Sequence, residues 1–393
     1  MPARAADAVI VDAVRTPVGK RNGSLASTHA VNLSAHVLNA LVERNGIDPA
    51  VVDDVIWGVV QQVGQQGGNV ARMAVLAAGW PESIPGTTID RQCGSSQQAV
   101  AFAAASVVSG QADVVVAGGV ESMSRVPMGS ARGDGSAGMP LGPRFMERYH
   151  GVFPNQGIGA EMIAERWGFS RTQLDEFSLG SHEKAAKAQA GGAFDEEIVP
   201  VTTPEGTVTA DEGVRPGGTL EKLASLKTPF KEDGVISAGN ASQISDGSAA
   251  LLVTTSEKAQ ELGLRPIARI HTTVMAADDP IIMLTAPIPA TAKALQRSGL
   301  SIDDIGVFEV NEAFAPVPMA WLADTGADAS RLNPHGGAIA LGHPLGGSGA
   351  RNMTTLVHRD AGHGHPLRPA DDVRGRRHGQ RDDPRARLLT PAR

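Results

Sequence analysis

The spacing of apolar residues along the first third of the chain predicts strands that alternate with helices. Short continuous apolar runs are typical of buried strands, whereas longer amphipathic or small-residue stretches that end at a glycine are typical of helices. Strands are predicted at Val9–Val14, Asp54–Gln61, Thr87–Asp90 and Val114–Ala117, and helices at Leu33–Asn45, Ala71–Ala78 and Ser95–Ser109. This alternation predicts βαβ units and a largely parallel sheet that carries helices on both faces.

The alternation weakens between residues 123 and 247, where glycine, proline and charged residues dominate. Two helices are predicted there, near Gly159–Trp167 and Thr172–Ala190, and we interpret 123–247 as a loop domain inserted into the first half. The alternation returns at Ala268, and a further strand is predicted at Ile305–Val310. The predicted domains are therefore 1–122 plus 248–270 for the first half and 271–358 for the second.

A weak internal repeat supports the division into halves. Residues 53–56 and 303–306 both place two aspartates before a predicted strand. Later in each half a Gly- and Ser-rich turn, at 94–96 and at 346–349, opens a long helix. The repeat favours two related halves that face each other.

Composition and charge exclude several classes of protein. With 41% hydrophobic and 20% charged residues, the 393-residue chain has the composition of a globular protein. The net charge of −7 argues against nucleic-acid binding, and no stretch approaches the ~20 consecutive apolar residues of a membrane span. No apolar run of signal-peptide length stands near the N-terminus. We therefore expect a cytoplasmic protein.

The single cysteine, Cys93, is the first candidate for chemistry. It lies between a predicted short strand and the first turn of an apolar helix, where free N–H groups and the positive end of the helix dipole favour a thiolate. An unreactive buried cysteine is the common alternative for this residue type. The succession of strand, cysteine, Gly94, two serines and helix favours a nucleophile.

A carboxamide and an imidazole are the next candidates. Asn311 directly follows a predicted strand, where it could hold a water or a carbonyl oxygen, and a turn or capping role is equally compatible with its position. His343 stands on a glycine-hinged turn, where backbone can approach a ligand closely, and it could act as the base for Cys93. His335 precedes the glycines and is interpreted as a bystander, and Glu312 is expected to face solvent or to cap a helix.

Nucleotide and metal chemistry are not indicated. The chain contains no GxxxxGK[ST] loop, and no GxGxxG opens a helix after the first strand. One cysteine cannot form a multi-thiolate site, and His363 and His365 have no neighbouring carboxylate or thiolate. No metal site is expected.

Five segments together resemble the motifs of the thiolase family, in the order of that family. They are Asp90–Ala99 (DRQCGSSQQA), Gly118–Ser124 (GGVESMS), Gly239–Gly247 (GNASQISDG), Asn311–Ala315 (NEAFA) and Gly336–Arg351 (GGAIALGHPLGGSGAR). The resemblance runs from Val9 to about His358. It implies an α/β fold in which two similar βαβαβαββ halves stack as a five-layer αβαβα sandwich with an inserted loop domain. It also implies a homodimer or homotetramer.

The resemblance further implies a reaction and its catalytic residues. The reaction is the reversible transfer of an acyl group between a 3-ketoacyl-CoA plus CoA and acetyl-CoA plus a shortened acyl-CoA, through a thioester on Cys93. His343 would accept the Cys93 proton. His343 and a water held by Asn311 would then form an oxyanion hole for the thioester enolate, and the Cys93 N–H would contribute to a second one. Coenzyme A is a substrate here, and no cofactor is implied.

The CoA-binding residues implied by the resemblance lie in several segments. Ser242 would touch the pantetheine arm, Phe314 would line its channel, and Gly337 would let the backbone approach the ligand. Asn155 stands where many thiolases carry a histidine that packs on the pantetheine. We therefore expect a substrate range that differs from that of the short-chain biosynthetic members.

The C-terminal segment departs further from the family pattern. The family ends with a strand, a Cys-x-Gly-Gly-Gly loop and a last strand, and this second cysteine exchanges a proton with the substrate α-carbon. Residues 359–393 instead hold nine arginines, no lysine and no cysteine. When the family's ending is written in GC-rich codons and read one base out of phase, it gives the text of Pro369–Asp383, and the missing Cys codon straddles Val373 and Arg374. We therefore interpret 359–393 as an out-of-frame tail and 271–358 as an incomplete half.

Two other functions deserve comparison with a thiolase. A ketoacyl synthase shares the fold and a cysteine nucleophile, but it would be expected to use a second histidine where this chain has Asn311–Phe314, so we disfavour it. A catalytically impaired homologue that binds CoA esters is the second alternative, because the chain lacks the second cysteine. Thiolysis of acetoacetyl-CoA, measured in parallel with CoA binding, separates these functions.

Overall fold

The computed structural model describes residues 7–361 and 387–392. The strands are β1 Ala8–Arg15, β2 Gly19–Lys20, β3 Asp54–Gly58, β4 Gly86–Ile89, β5 Val114–Ser122, β6 Val201–Thr203, β7 Gly206–Val208, β8 Ser245–Thr254, β9 Ala268–Met275 and β10 Arg387–Ala392. The helices are α1 Ala30–Asn45, α2 Val70–Ala77, α3 Ser95–Ser109, α4 Pro143–Arg148, α5 Gln156–Trp167, α6 Arg171–Ala190, α7 Leu220–Ala224, α8 Ser256–Glu261, α9 Pro287–Ser298, α10 Pro316–Thr325, α11 Ala338–Leu341 and α12 Ser348–Ala361.

The first half forms one mixed sheet. Its strands follow the order β1-β8-β5-β3-β4, in which β3 pairs in parallel with β4 and β5, whereas β8 is antiparallel to both β1 and β5. Apart from the two-residue β2 and the segment inserted between β5 and β8, the chain succession up to β8 is βαβαβαββ, as the motifs implied. Strand β8 escaped prediction because its first residues, Ser245–Ser248, are polar although they are buried.

Both faces of this sheet are covered by helices. Along β1, Val9, Val11 and Val14 pack with α1 and α2, whereas Ile10 and Ala13 point to the other face and pack with α3 and α12. Successive side chains of a strand point to opposite faces, so a strand covered on both sides buries apolar residues at successive positions. Helix α12, from the second half, therefore shares a layer with α3, the helix that begins next to Cys93.

The inserted segment lies between β5 and β8 and contains α4–α7 and the β6–β7 hairpin. It is fastened to β1 by Arg15, whose fully buried guanidinium contacts Glu197 at 2.6 Å and Asp211 at 2.7 Å. A buried cation needs such partners, because removal of either one would leave an uncompensated charge. The exact boundaries of the insertion, 123 and 247, stay a prediction.

The second half is less regular than the first. It contains β9, α9, α10, α11 and α12, but the strand predicted at Ile305–Val310 is wrong. Within the described residues this segment makes only an isolated parallel bridge, between Phe308 and Leu332. A strand is stabilised by hydrogen bonds to neighbouring strands, and no further strand pairs with 305–310 in this part of the chain.

Most of the predicted out-of-frame tail cannot be compared with the structure, since residues 362–386 lie outside the described part of the chain. From the tail, β10 pairs in parallel with β9, on the edge of β9 opposite to β1. The interpretation of residues 359–393 as an out-of-frame tail thus stays a prediction.

Candidate functional site

Cys93 occupies the turn that leads into α3. It directly precedes Gly94, the N-cap residue of this helix, which provides no side-chain hydrogen bond to the helix N-terminus. The cysteine is 9% exposed and belongs to a small apolar cluster with Val60, Met123 and Leu345. The sulfur is therefore sheltered, next to N–H groups that no capping side chain satisfies.

Local hydrogen bonds hold the backbone before Cys93 in an uncommon conformation. Gln92 has a φ of 49°, in the left-handed region, which costs a non-glycine residue energy. The N–H of Gln92 donates to Asp90 Oδ1 at 2.6 Å. The Ser95 hydroxyl donates to the Gln92 carbonyl at 2.5 Å and accepts from the Arg91 N–H at 2.9 Å. These bonds fix the direction in which the chain delivers Cys93.

His343 and Asn311 are brought together although 32 residues separate them. Asn311 Nδ2 lies 3.3 Å from His343 Nε2. The imidazole is buried, and the backbone N–H of His343 donates to Ser245 Oγ at 3.0 Å. The two residues are thus placed as one pair.

The glycine-rich loop that follows His343 lies against the N-terminus of α3. A Cβ atom at Gly349 would come within 2.4 Å of the Gln97 nitrogen, so only glycine allows this approach. The Ala350 N–H donates to Ser96 Oγ at 2.9 Å. Leu345, on the same loop, packs in the apolar cluster of Cys93. The loop that carries His343 therefore lies at the N-terminus of α3, next to Cys93.

Glu121, at the end of β5, anchors this loop, and no role was predicted for it from the sequence. Its fully buried carboxylate accepts four hydrogen bonds, from the N–H groups of Val60 at 2.9 Å, Gln61 at 3.0 Å and Gly346 at 2.8 Å, and from Gln66 Nε2 at 2.6 Å. Burial raises the pKa of Glu121, and the four donors act in the opposite direction. The signal available in the sequence was its place as the acidic residue of the motif Gly118–Ser124, directly after the predicted strand Val114–Ala117.

Replacing Glu121 by glutamine should destabilise the protein by about 1–3 kcal/mol, because the new NH2 group would face donors instead of accepting from them. The matched control is Glu165→Gln, whose side chain is 73% exposed and makes one exposed ion pair, so its effect should be small. Urea unfolding of both variants measures the difference. Equal stabilities for the two variants would contradict the anchoring role.

Ser242 and Phe314 lie on two neighbouring segments. The Ser242 N–H donates to the Ala313 carbonyl at 2.9 Å, and Ala241 forms an antiparallel bridge with Phe314. Phe314 is buried and meets Phe230 edge-on, with ring centroids 6.2 Å apart. The structure thus places the two residues side by side, and their contact with CoA stays a prediction.

The expectation that Glu312 faces solvent is wrong, whereas the alternative, that it caps a helix, agrees with the bond it accepts from Ile339 in the first turn of α11. Glu312 is 1% exposed and accepts hydrogen bonds from Ser181 Oγ at 2.7 Å, Asn333 Nδ2 at 2.9 Å and the Ile339 N–H at 3.2 Å. A Cβ atom at Gly337 would lie 2.3 Å from the Glu312 carboxyl carbon, so this glycine makes room for the buried carboxylate. The part of Gly337 in CoA binding stays a prediction.

Two other predicted positions have clear local surroundings. Asn155 is exposed and caps α5, since its Oδ1 accepts from the N–H groups of Gly157 at 2.9 Å and Ile158 at 3.1 Å. His335 packs edge-on against Phe194, with ring centroids 5.8 Å apart. Whether Asn155 also contacts substrate, and whether His335 is a bystander, stay predictions.

Membrane-spanning helices and metal sites can be assessed for the described residues. Among residues 7–361 and 387–392, no helix combines the length and apolarity needed to cross a membrane. In the same part of the chain, no group of three or more His, Cys, Asp or Glu side chains is placed to hold a metal ion.

Comparison with known proteins shows which family this chain resembles. The family model described as "Thiolase, N-terminal domain" matches residues 8–257, and the one described as "Thiolase, C-terminal domain" matches residues 264–366. A steroid 3-ketoacyl-CoA thiolase of Mycobacterium tuberculosis is 50% identical over 356 residues, which cover 89% of this chain and 87% of the relative.

Other relatives carry related names. A 3-ketoacyl-CoA thiolase of Aliivibrio fischeri is 44% identical over 360 residues, covering 89% of this chain and 91% of the relative. A 3-oxoadipyl-CoA/3-oxo-5,6-dehydrosuberyl-CoA thiolase of Escherichia coli is 45% identical over 371 residues, covering 90% of this chain and 92% of the relative. The fold class implied by the five motifs is therefore confirmed, and the chain belongs to the thiolase family.

Proposed function

We propose that this chain is an acyl-CoA C-acyltransferase that thiolyses 3-ketoacyl-CoA with CoA, or condenses two acyl-CoA molecules in the reverse direction, through a thioester on Cys93. The observation that carries the proposal is the meeting of the two halves. A sheltered cysteine stands at the start of α3, and the loop that carries His343 lies against the same helix end. Membership of the thiolase family supports the reaction class.

In the proposed first half-reaction, the sulfur of Cys93 attacks the keto carbon of the substrate, and His343 Nε2 takes the thiol proton. The bond between the α- and β-carbons breaks, and acetyl-CoA leaves as its enolate, which takes up a proton from solvent because the chain has no second cysteine; His343 returns its own proton to solvent before the second half-reaction. His343, now protonated, and a water held by Asn311 would donate to the enolate oxygen. A covalent acceptor divides one difficult transfer into two easier steps.

In the second half-reaction, the thiol of CoA attacks the acyl carbon on Cys93. His343 would take the CoA proton, and Cys93 leaves as the thiolate. Ser242 and Phe314 would hold the pantetheine arm, and their neighbouring segments support a shared channel. CoA acts as a substrate, and the proposed reaction uses no metal or organic cofactor.

The proposed substrate class is a 3-ketoacyl-CoA. One relative is named for a steroid substrate and another for 3-oxoadipyl-CoA, and both substrates carry the same 3-keto thioester. We also propose a cytoplasmic homodimer or homotetramer, on the basis of the composition and of the assemblies that family members form. Thiolysis of acetoacetyl-CoA, followed at its enolate absorbance while CoA binding is measured in parallel, tests the activity. CoA binding without acyl transfer would favour the impaired homologue instead.

His343→Ala should slow both half-reactions, because one imidazole serves as the base and as the oxyanion donor. Loss of general-base catalysis alone corresponds to about 10²–10⁴-fold. Single-turnover acylation by acetyl-CoA and deacylation by CoA measure the two steps separately. His335→Ala is the control and should have a far smaller effect, since this ring packs on Phe194. The reverse ranking of the two variants would refute the choice of base.

A further inference from the structure

We propose that Ser348 is a positioning residue that fixes the protonation site and orientation of the His343 ring. The inference rests on the proposed function only in that His343 is taken as the base. Ser348 is the first residue of α12, five positions after His343, and it is buried. Its Oγ lies 2.6 Å from His343 Nδ1 and 2.8 Å from the carbonyl oxygen of Pro344.

The hydrogen bonds of Ser348 determine which nitrogen of the neutral His343 ring carries the hydrogen. A hydroxyl has a single hydrogen to donate, and a carbonyl oxygen can only accept. The Ser348 hydroxyl donates to the Pro344 carbonyl, so its oxygen is left to accept from His343 Nδ1. The neutral imidazole then carries its hydrogen on Nδ1.

The orientation of the Asn311 amide agrees with this assignment. Asn311 Nδ2, 3.3 Å from His343 Nε2, belongs to an amide NH2 group that can only donate. Nε2 must therefore accept, and it carries a lone pair. In the opposite tautomer, the Nε2–H of His343 and the N–H of Asn311 would be two donors facing each other. The Ser348 hydroxyl would then have to donate to Nδ1, and its bond to the Pro344 carbonyl would be lost.

This arrangement suits a ring that acts first as a base and then as a donor. The lone pair on Nε2 can take the proton of Cys93, because the hydrogen bond of one ring nitrogen sets the state of the other. Once Nε2 is protonated, the chain from Nδ1–H through the Ser348 hydroxyl to the Pro344 carbonyl polarises and stabilises the cation. The new Nε2–H is then available to an oxyanion.

Ser348→Ala should remove the acceptor for Nδ1–H and allow the second tautomer. We expect the single-turnover rate of Cys93 acetylation by acetyl-CoA to fall roughly 10- to 100-fold, the factor that corresponds to one buried donor left unsatisfied, while CoA affinity stays unchanged. Ser348→Thr, which keeps the hydroxyl, should restore part of the rate.

The matched control is Ser96→Ala. This serine is also buried and also bonds the first turn of α12, but its hydroxyl oxygen accepts from the backbone N–H of Ala350, at 2.9 Å, and not from the imidazole. The variant should keep the wild-type tautomer. A loss of the wild-type tautomer in Ser96→Ala equal to that in Ser348→Ala would assign the effect to the helix end in general and overturn the proposal.

Long-range ¹H–¹⁵N correlation spectra of the full chain with ¹⁵N-labelled histidine read the tautomer directly, and loss of one signal in His343→Gln assigns the ring. The expected result is an Nδ1–H tautomer in the wild type and a mixture in Ser348→Ala. An Nε2–H tautomer in the wild type, or an unchanged Nδ1–H tautomer in Ser348→Ala, would overturn the proposal. The wild-type tautomer is read without any measurement of activity, so a failure of the proposed function, seen as no acetylation of Cys93, is a separate result.

Discussion

Replacing Cys93 by alanine should abolish acyl-enzyme formation while leaving CoA affinity largely intact. The thiol is the proposed covalent acceptor, and the chain has no second cysteine that could replace it. Its removal leaves the rest of the apolar cluster in place. Intact-mass measurement after treatment with acetyl-CoA should show one acetyl group on the wild type and none on the variant.

A suitable control for this experiment is Val60→Ala, which shortens a neighbour in the same cluster but keeps the thiol. This variant should still gain an acetyl group. If Cys93→Ala were acetylated to the wild-type level, the acceptor would be another residue and the assignment of Cys93 would be wrong.

The second large effect concerns the C-terminal segment. A chain in which the reading frame after about residue 358 is restored should be an active thiolase, whereas the present chain should be poorly soluble or nearly inactive in the complete thiolysis cycle, for which the family uses a second cysteine in addition to Cys93. The restored segment supplies the second cysteine of the family. Loss of one positioned acid or base corresponds to about 10²–10⁴-fold in rate.

The sheet topology gives a structural reason for the same expectation. In the first half, the last two strands, β5 and β8, lie between β1 and β3, and β8 is antiparallel to β1. If the second half repeats this order, two strands belong between β9 and residues 305–310, and the one beside β9 should be antiparallel to it. On the edge of β9 that β1 does not occupy, the neighbouring strand is β10, which is parallel. It is therefore not the counterpart of β8.

A buried arginine marks the same region. Arg351, on α12, is almost fully buried, and within the described residues its Nε and Nη1 have no hydrogen-bond partner. Burial lowers the pKa of Arg351, and the charge of Glu309 offsets part of this effect. Unsatisfied buried donors are costly, so we expect the restored strands to supply acceptors that the described residues do not provide.

Purification yield, oligomeric state and thiolysis of acetoacetyl-CoA, measured side by side for the two chains, test this prediction. A third chain, with the frame restored but the second cysteine replaced by alanine, separates the two contributions. It should recover the yield and the assembly but not the turnover. A stable oligomer with full thiolysis activity from the present chain would contradict the out-of-frame interpretation, and another residue would then have to perform the second proton transfer.

Several features of this protein were determined by the sequence alone because they depend on local interactions. The helix at Ser95–Ser109 was predicted with its observed bounds, since small apolar residues fill it and Gly110 ends it in the left-handed conformation. The position of Cys93 at the start of this helix follows from the same short segment. Motif order also sufficed to predict the α/β fold class.

Only the tertiary structure decided how the site is held together, because the partners are distant in the chain. Glu121 meets the Gly346 N–H across 225 positions, and Ser181 meets Glu312 across 131. A charged residue in a motif looks exposed until the donors that surround it are known, which is why the expectation that Glu312 faces solvent failed. The segment 305–310 has the apolar pattern of a strand, but a strand forms only beside a partner, and the order of the sheet determines whether that partner exists.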